Sequence, residues 1–127
     1  MNKFPASVRL SLFVALATFI FVLSVIPRPP HIITDVLSWD KAQHALAYAC
    51  LTALGGWALT PFWGADRAWL RAFGLAIAYG LLLEGIQALT GQRVAQVGDA
   101  VADTFGAGLT FLLWRLFFHS GGLKSCK

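Results

Sequence analysis

The chain has 127 residues, 57% of them hydrophobic and only 13% charged, too few polar groups to clothe a water-soluble domain of this length. No stretch is left over for a separate soluble unit, so residues 1–127 read as a single integral membrane domain. The formal charge is +4, but the basic residues are scattered around the ends of apolar runs. That distribution argues against a nucleic-acid partner and for membrane orientation and lipid contact.

A bilayer core is about 30 Å thick and a helix rises about 1.5 Å per residue, so roughly 20 apolar residues cross it. Four runs qualify, at approximately 8–26, 42–59, 70–89 and 98–118. They are continuous rather than alternating, which favours helices over a barrel, since each helix satisfies its own backbone. The expected fold is all-α: a four-transmembrane-helix bundle with antiparallel neighbours, both termini cytoplasmic, and a short interfacial segment after the first helix.

In chain order, Lys3 and Arg9 give the first run a basic start. The apolar stretch is longer than a usual signal-peptide core and no A-x-A site follows, so it reads as a retained helix. Pro27, Pro29 and Pro30 stop it, and residues 31–39 are too short and mixed to span. The second run carries Asp40, His44 and Tyr48 at i, i+4 and i+8 on one helix face, with Lys41 beside them. Asp40 with Gln43 also makes a variant capping box. Pro61 and Gly64 are expected to end this helix. The third run holds Gly80, Glu84 and Gln87 on one face and stops at Gly91. Arg93 follows in a loop, and the fourth run opens with Asp99, then Asp103, Gly106 and Thr110. Gly106 and Gly108 read as small residues permitting tight helix packing. The two cysteines, Cys50 and Cys126, suggest neither a disulfide nor a metal site by spacing.

Four spans place the termini and the loop between spans two and three on one side. Lys3, Arg9, Arg67, Arg71, Arg115, Lys124 and Lys127 collect there, against Arg28, Lys41 and Arg93 opposite. The positive-inside rule therefore puts the termini in the cytoplasm. Trp57, Trp63, Trp69 and Trp114 then fall towards the inner interface and Trp39 at the outer one.

Under this topology Glu84 lies about 10 Å below the outer end of its helix and Asp103 at a similar depth, at about 1.5 Å per residue. Ionisable groups are costly at such depth and mark functional sites. Several of the other polar residues have a bland reading. Asp40 serves as a cap, Asp99 complements the helix dipole, His44 and Tyr48 are buried hydrogen-bonders, and Arg93 pairs with an acid. Yet Asp40, Glu84, Asp99 and Asp103 outnumber the fixed cations Lys41 and Arg93. A carboxyl is then protonated, or a cation is held; a divalent cation at the acidic cluster is one candidate cofactor, with its ligands unknown.

The series Asp40-Lys41-x-x-His44-x-x-x-Tyr48, Glu84-x-x-Gln87, Arg93, Asp99 and Gly106 resembles the VanZ-like family of small bacterial integral membrane proteins, over roughly residues 39–108. Asp103 stands where that family commonly has Asn, and Gly108 and Thr110 stand where a glycine four residues after Gly106 is favoured. The resemblance implies a multi-pass protein of the bacterial cytoplasmic (inner) membrane with a cell-envelope role. The family's founding member is associated with resistance to teicoplanin, a glycopeptide antibiotic.

Three functional readings follow. In the first, a site near the outer leaflet binds or modifies a lipid-type or lipid-linked wall-precursor headgroup. There His44, Glu84, Asp99 and Asp103 are the candidate catalytic residues; Lys41, Tyr48, Gln87 and Arg93 bind substrate; Asp40 and Gly106 are structural. The partners are membrane lipids, with a lipid-linked precursor or a glycopeptide as the further candidates. In the second, the chain is a small transporter or proton relay, although the inner halves of the spans offer few polar groups and an oligomer would have to supply continuity. In the third, the polar residues knit the helices together or recruit a partner, without chemistry.

Overall fold

A computed structural model describes residues 3–25, 39–90 and 97–119 of the chain. The described residues form helices: α1 (Ala6–Val25), α2 (Trp39–Trp63), α3 (Ala65–Thr90) and α4 (Val97–Trp114), the last continued by a π-helical turn, Arg115–His119. Four stretches are long and apolar enough to cross a membrane: Ala6–Ser24 in α1, Ala42–Trp63 in α2, Ala65–Leu89 in α3, and Ala100–Phe118 in α4 and the π-helical turn that continues it. The interfacial segment expected at 31–39 lies outside the described residues apart from the backbone of Trp39, which opens α2; Gly91 and Arg93 also lie outside them.

The junction of α2 and α3 differs from the sequence expectation. Pro61 does not end α2 but lies within its last turn, and Gly64 alone separates the two helices. Gly64 has φ +79°, a left-handed conformation that only a residue without Cβ adopts cheaply. Its N–H reaches the Thr60 carbonyl at 2.9 Å, and its own carbonyl accepts from Ala68 N at 2.9 Å. The chain therefore passes from one helix to the next within one residue, and Arg67, expected in a loop, sits on α3 together with Arg71.

Pro61 nonetheless leaves a trace. Lacking an N–H, it cannot bond the carbonyl four residues back, that of Trp57. Arg9 of α1 supplies the missing donor: its Nη1 donates to Trp57 O at 3.3 Å and its Nε to Phe4 O at 3.1 Å. The guanidinium also lies 4.7 Å from the Trp57 ring centroid. Arg9, expected at the membrane surface, is consequently buried. Two more polar links run along α1, from the Tyr79 hydroxyl to Ala17 O and from Gln87 Nε2 to Ser24 O at 2.7 Å. The Ser24 carbonyl belongs to the last turn of α1, where carbonyls have no partner within the helix.

Packing between the helices relies on small residues, because apolar side chains gain little by leaving lipid and close backbone approach must supply the contact. Ala58, Ala68, Ala72, Ala76 and Ala107 are all buried. A Cβ on Gly56 would lie 2.3 Å from the Trp69 ring, and one on Gly55 would lie 2.8 Å from Phe13. Gly106 makes the tightest approach: a Cβ there would stand 1.9 Å from the Ala45 carbonyl oxygen of α2. Gly108, expected to act likewise, faces only the Phe73 ring at 3.6 Å, an ordinary contact. Further along α3 and α4, Phe73 stacks on Phe111 and Trp69 on Trp114, with centroids 5.3 and 4.8 Å apart. Trp57 and Trp69 are thus engaged inside the protein, whereas Trp63 is exposed beneath the Arg71 guanidinium.

The Arg9–Trp57 link gives a coupling test. Arg9→Met should destabilise the folded chain by about 1–3 kcal/mol, the range for losing a charge-assisted bond to a buried carbonyl. In a Pro61→Ala background, where residue 61 regains its N–H, that cost should shrink. Unfolding in detergent micelles measures both; equal costs in the two backgrounds would remove the link to Pro61.

Candidate functional site

The close approach of Gly106 to Ala45 brings the first half of α2 against α4. His44 immediately precedes Ala45 on α2, and Asp103 lies three residues before Gly106 on α4, so the two side chains face each other across that seam. His44 Nδ1 and Asp103 Oδ1 are 2.8 Å apart. The Asp103 side chain is only 4% exposed and that of His44 18%, so this is a buried pair whose mutual partnership offsets the cost of desolvating a carboxyl.

The α3 helix closes the site from a third side. Gly80 packs against the other carboxyl oxygen of Asp103 and against the ring of Tyr48. Tyr48 is buried, one turn beyond His44 on α2, and its hydroxyl lies within electrostatic range of the carboxyls of both Asp103 and Glu84. Glu84 is half-buried one turn beyond Gly80. Gln87 is buried, and its amide donates to α1 at Ser24 O. The structure therefore gathers His44, Tyr48, Gly80, Glu84 and Asp103, drawn from three helices.

The remaining sequence candidates are placed less fully. Asp40 and Lys41 lie in the first turn of α2, one turn before His44, and Asp99 in the first turn of α4, one turn before Asp103. Their side chains, and Arg93 altogether, lie outside what is described. As to the divalent cation, no three His, Cys, Asp or Glu side chains among the described residues stand close enough to hold one. Among the described residues, His44 and Asp103 place two possible donors side by side.

Thr52 is a member of this face that the sequence reading did not attach to it. It is fully buried, and its Oγ1 finds no hydrogen-bond partner among the described residues. The signal was available: 40, 44, 48 and 52 form one unbroken i+4 series. The sequence puts Gly80 on one face with Glu84 and Gln87, but its contact with Asp103 depends on how α3 and α4 meet. A shallow groove runs along Ala100, Val101, Thr104 and Phe105, none of them ionisable.

An unpaired buried hydroxyl costs about 1–3 kcal/mol. Thr52→Val, which keeps the shape and removes the hydroxyl, should therefore hold or raise stability by about 1 kcal/mol in micelle unfolding. A clear loss would mean that the hydroxyl has a partner in the folded protein.

The family model described as VanZ/LLP1 matches residues 6–118, a wider span than the motif residues alone cover. Searches of curated proteins and of solved structures find no match to the chain. With the match running from the start of α1 through the apolar part of the last helix, the chain belongs to the VanZ-like family of membrane proteins.

Proposed function

We propose that this chain is a multi-pass protein of the bacterial cytoplasmic membrane whose His44–Asp103 pair acts on the headgroup of an anionic, lipid-type or lipid-linked wall precursor at the outer leaflet. The observation that carries the reading is the 2.8 Å contact between His44 and Asp103 inside apolar spans. Small residues and apolar packing could join these helices without burying a carboxyl, so an acid retained there is best understood through chemistry.

In this reading the helices run antiparallel as one domain, with both termini in the cytoplasm and the His44 end of α2 outward. The order of contacts supports that arrangement: Gly56 meets Trp69, Gly55 meets Ala72, and Tyr48 meets Gly80. A carboxylate on Nδ1 favours the tautomer with the lone pair on Nε2. His44 can then take a proton at Nε2 from an attacking hydroxyl or water and return it to a leaving oxygen. Glu84 is the second proton-transfer group, Asp99 orients the cluster, and Tyr48 lines it. Lys41 and Arg93 grip the phosphate, Arg being suited to a two-pronged contact. Asp40 caps α2, and Gln87 anchors α1 beside the site. The family link to glycopeptide resistance fits an envelope substrate.

A transport route is less well supported, because the Phe73–Phe111 and Trp69–Trp114 stacks fill the seam between α3 and α4 away from His44.

Two measurements test the proposal. An enzyme reporter that works only outside the cytoplasm should be active when fused after residue 93 and silent when fused after residue 127; the reverse pattern would put the site on the wrong face. Native mass spectrometry after mild extraction should find an anionic lipid retained by the wild type and weakened about tenfold or more in Arg93→Ala, the scale of one charge-assisted contact. His44→Ala and Glu84→Gln should remain folded and inserted. If both variants instead lose the folded protein, or if Arg93→Ala changes no lipid, the polar cluster serves structure.

A further inference from the structure

Gly80 occupies the point where α2, α3 and α4 meet, and what it faces is not another backbone. A Cβ at this position would lie 2.9 Å from Asp103 Oδ2, 3.4 Å from Asp103 Cβ and 3.3 Å from Tyr48 Cε1. The first distance is shorter than non-bonded carbon and oxygen tolerate, so something would have to move. The neighbours do not yield equally. The Tyr48 ring is held in a packed site, 2% exposed, and relieving a 3.3 Å contact takes only a few tenths of an ångström. The Asp103 carboxyl is the end of a short side chain and turns about a broad sp³–sp² torsion at little cost. That same turn carries Oδ1 away from His44 Nδ1.

We infer that Gly80 is a positioning residue for the His44–Asp103 pair. The missing methyl leaves Asp103 the space in which one carboxyl oxygen rests on α3 while the other holds the His44 ring. This contrasts with Gly106, whose neighbour is the Ala45 carbonyl and whose role is to bring two backbones together. It contrasts also with Gly74 and Gly85 on the same helix, where an added Cβ would meet nothing within 4 Å. Gly80 is thus the glycine of α3 whose substitution reaches the functional side chains first. The inference rests on the reading of the pair as the site's proton-transfer unit, but its test reads the pair and requires no lipid.

The test is ¹⁵N-histidine NMR of the full chain in nanodiscs. The chain has three histidines, so the His44 signals are assigned by their loss in His44→Ala. The wild type should show His44 protonated at Nδ1, and Asp103→Ala, which removes the acceptor, should shift that signature. Gly80→Ala should shift it in the same direction, towards a mixture of the two ring tautomers, whereas Gly85→Ala should leave it at the wild-type position. A Gly80→Ala spectrum identical to wild type would overturn the inference while leaving the pair intact. A His44 spectrum indifferent to Asp103→Ala would instead overturn the pair itself.

Should Gly80→Ala unfold, a mutant cycle decides. In an Asp103→Ala background the carboxyl is gone, and the destabilisation caused by Gly80→Ala should largely vanish. If it persists undiminished, Gly80 serves helix packing and not the position of Asp103.

Discussion

The structure depends on the distance between α2 and α4. Gly106 allows the Ala45 carbonyl to approach so closely that any side chain at 106 would collide with it. Only at that separation can two short side chains, an imidazole and a carboxyl, meet directly across the seam. In hydrocarbon no water fills a gap between separated polar groups, so a wider seam would leave Asp103 desolvated and alone. The backbone contact and the polar contact are therefore one constraint. The glycine makes the pair geometrically attainable, and the pair makes the buried acid energetically tolerable.

The same reasoning governs the attachment of α1. This helix is mostly exposed to the membrane, and its apolar side chains gain little by exchanging lipid for protein. Polar links at three heights hold it: Arg9 to Trp57 O, Tyr79 to Ala17 O, and Gln87 to Ser24 O. Two of these use carbonyls that the helices themselves leave unserved, one because Pro61 has no N–H and one because Ser24 lies in a terminal turn. A buried arginine thus completes the backbone bonding of another helix. Gln87 does the same for α1 one turn from Glu84, so α1 is anchored beside the polar cluster.

Membership of the VanZ-like family places these features in a protein class without specifying the reaction. The acid at position 103, where the family resemblance leads one to expect Asn, turns out to be the partner of His44. An amide oxygen could accept the same hydrogen bond but would bring no charge. Asp103 in place of an amide therefore bears on the charge of the pair rather than on its geometry.

The sequence by itself determined the number of spans, their helical character and the stripes of polar residues along them, because hydrophobic run length and the 3.6-residue period are local properties. It also made Asp103 conspicuous, since no cap or helix dipole accounts for an acid that far from a helix end. It could not say which acid His44 meets, nor that Gly80 rather than Gly108 lies against Asp103. Those facts depend on the rotation and separation of helices whose residues lie far apart in the chain. Arg9 makes the same point. Locally it reads as a basic residue at a membrane surface, and only the packing of α1 against α2 reveals a carbonyl, left open by Pro61, that draws it inside.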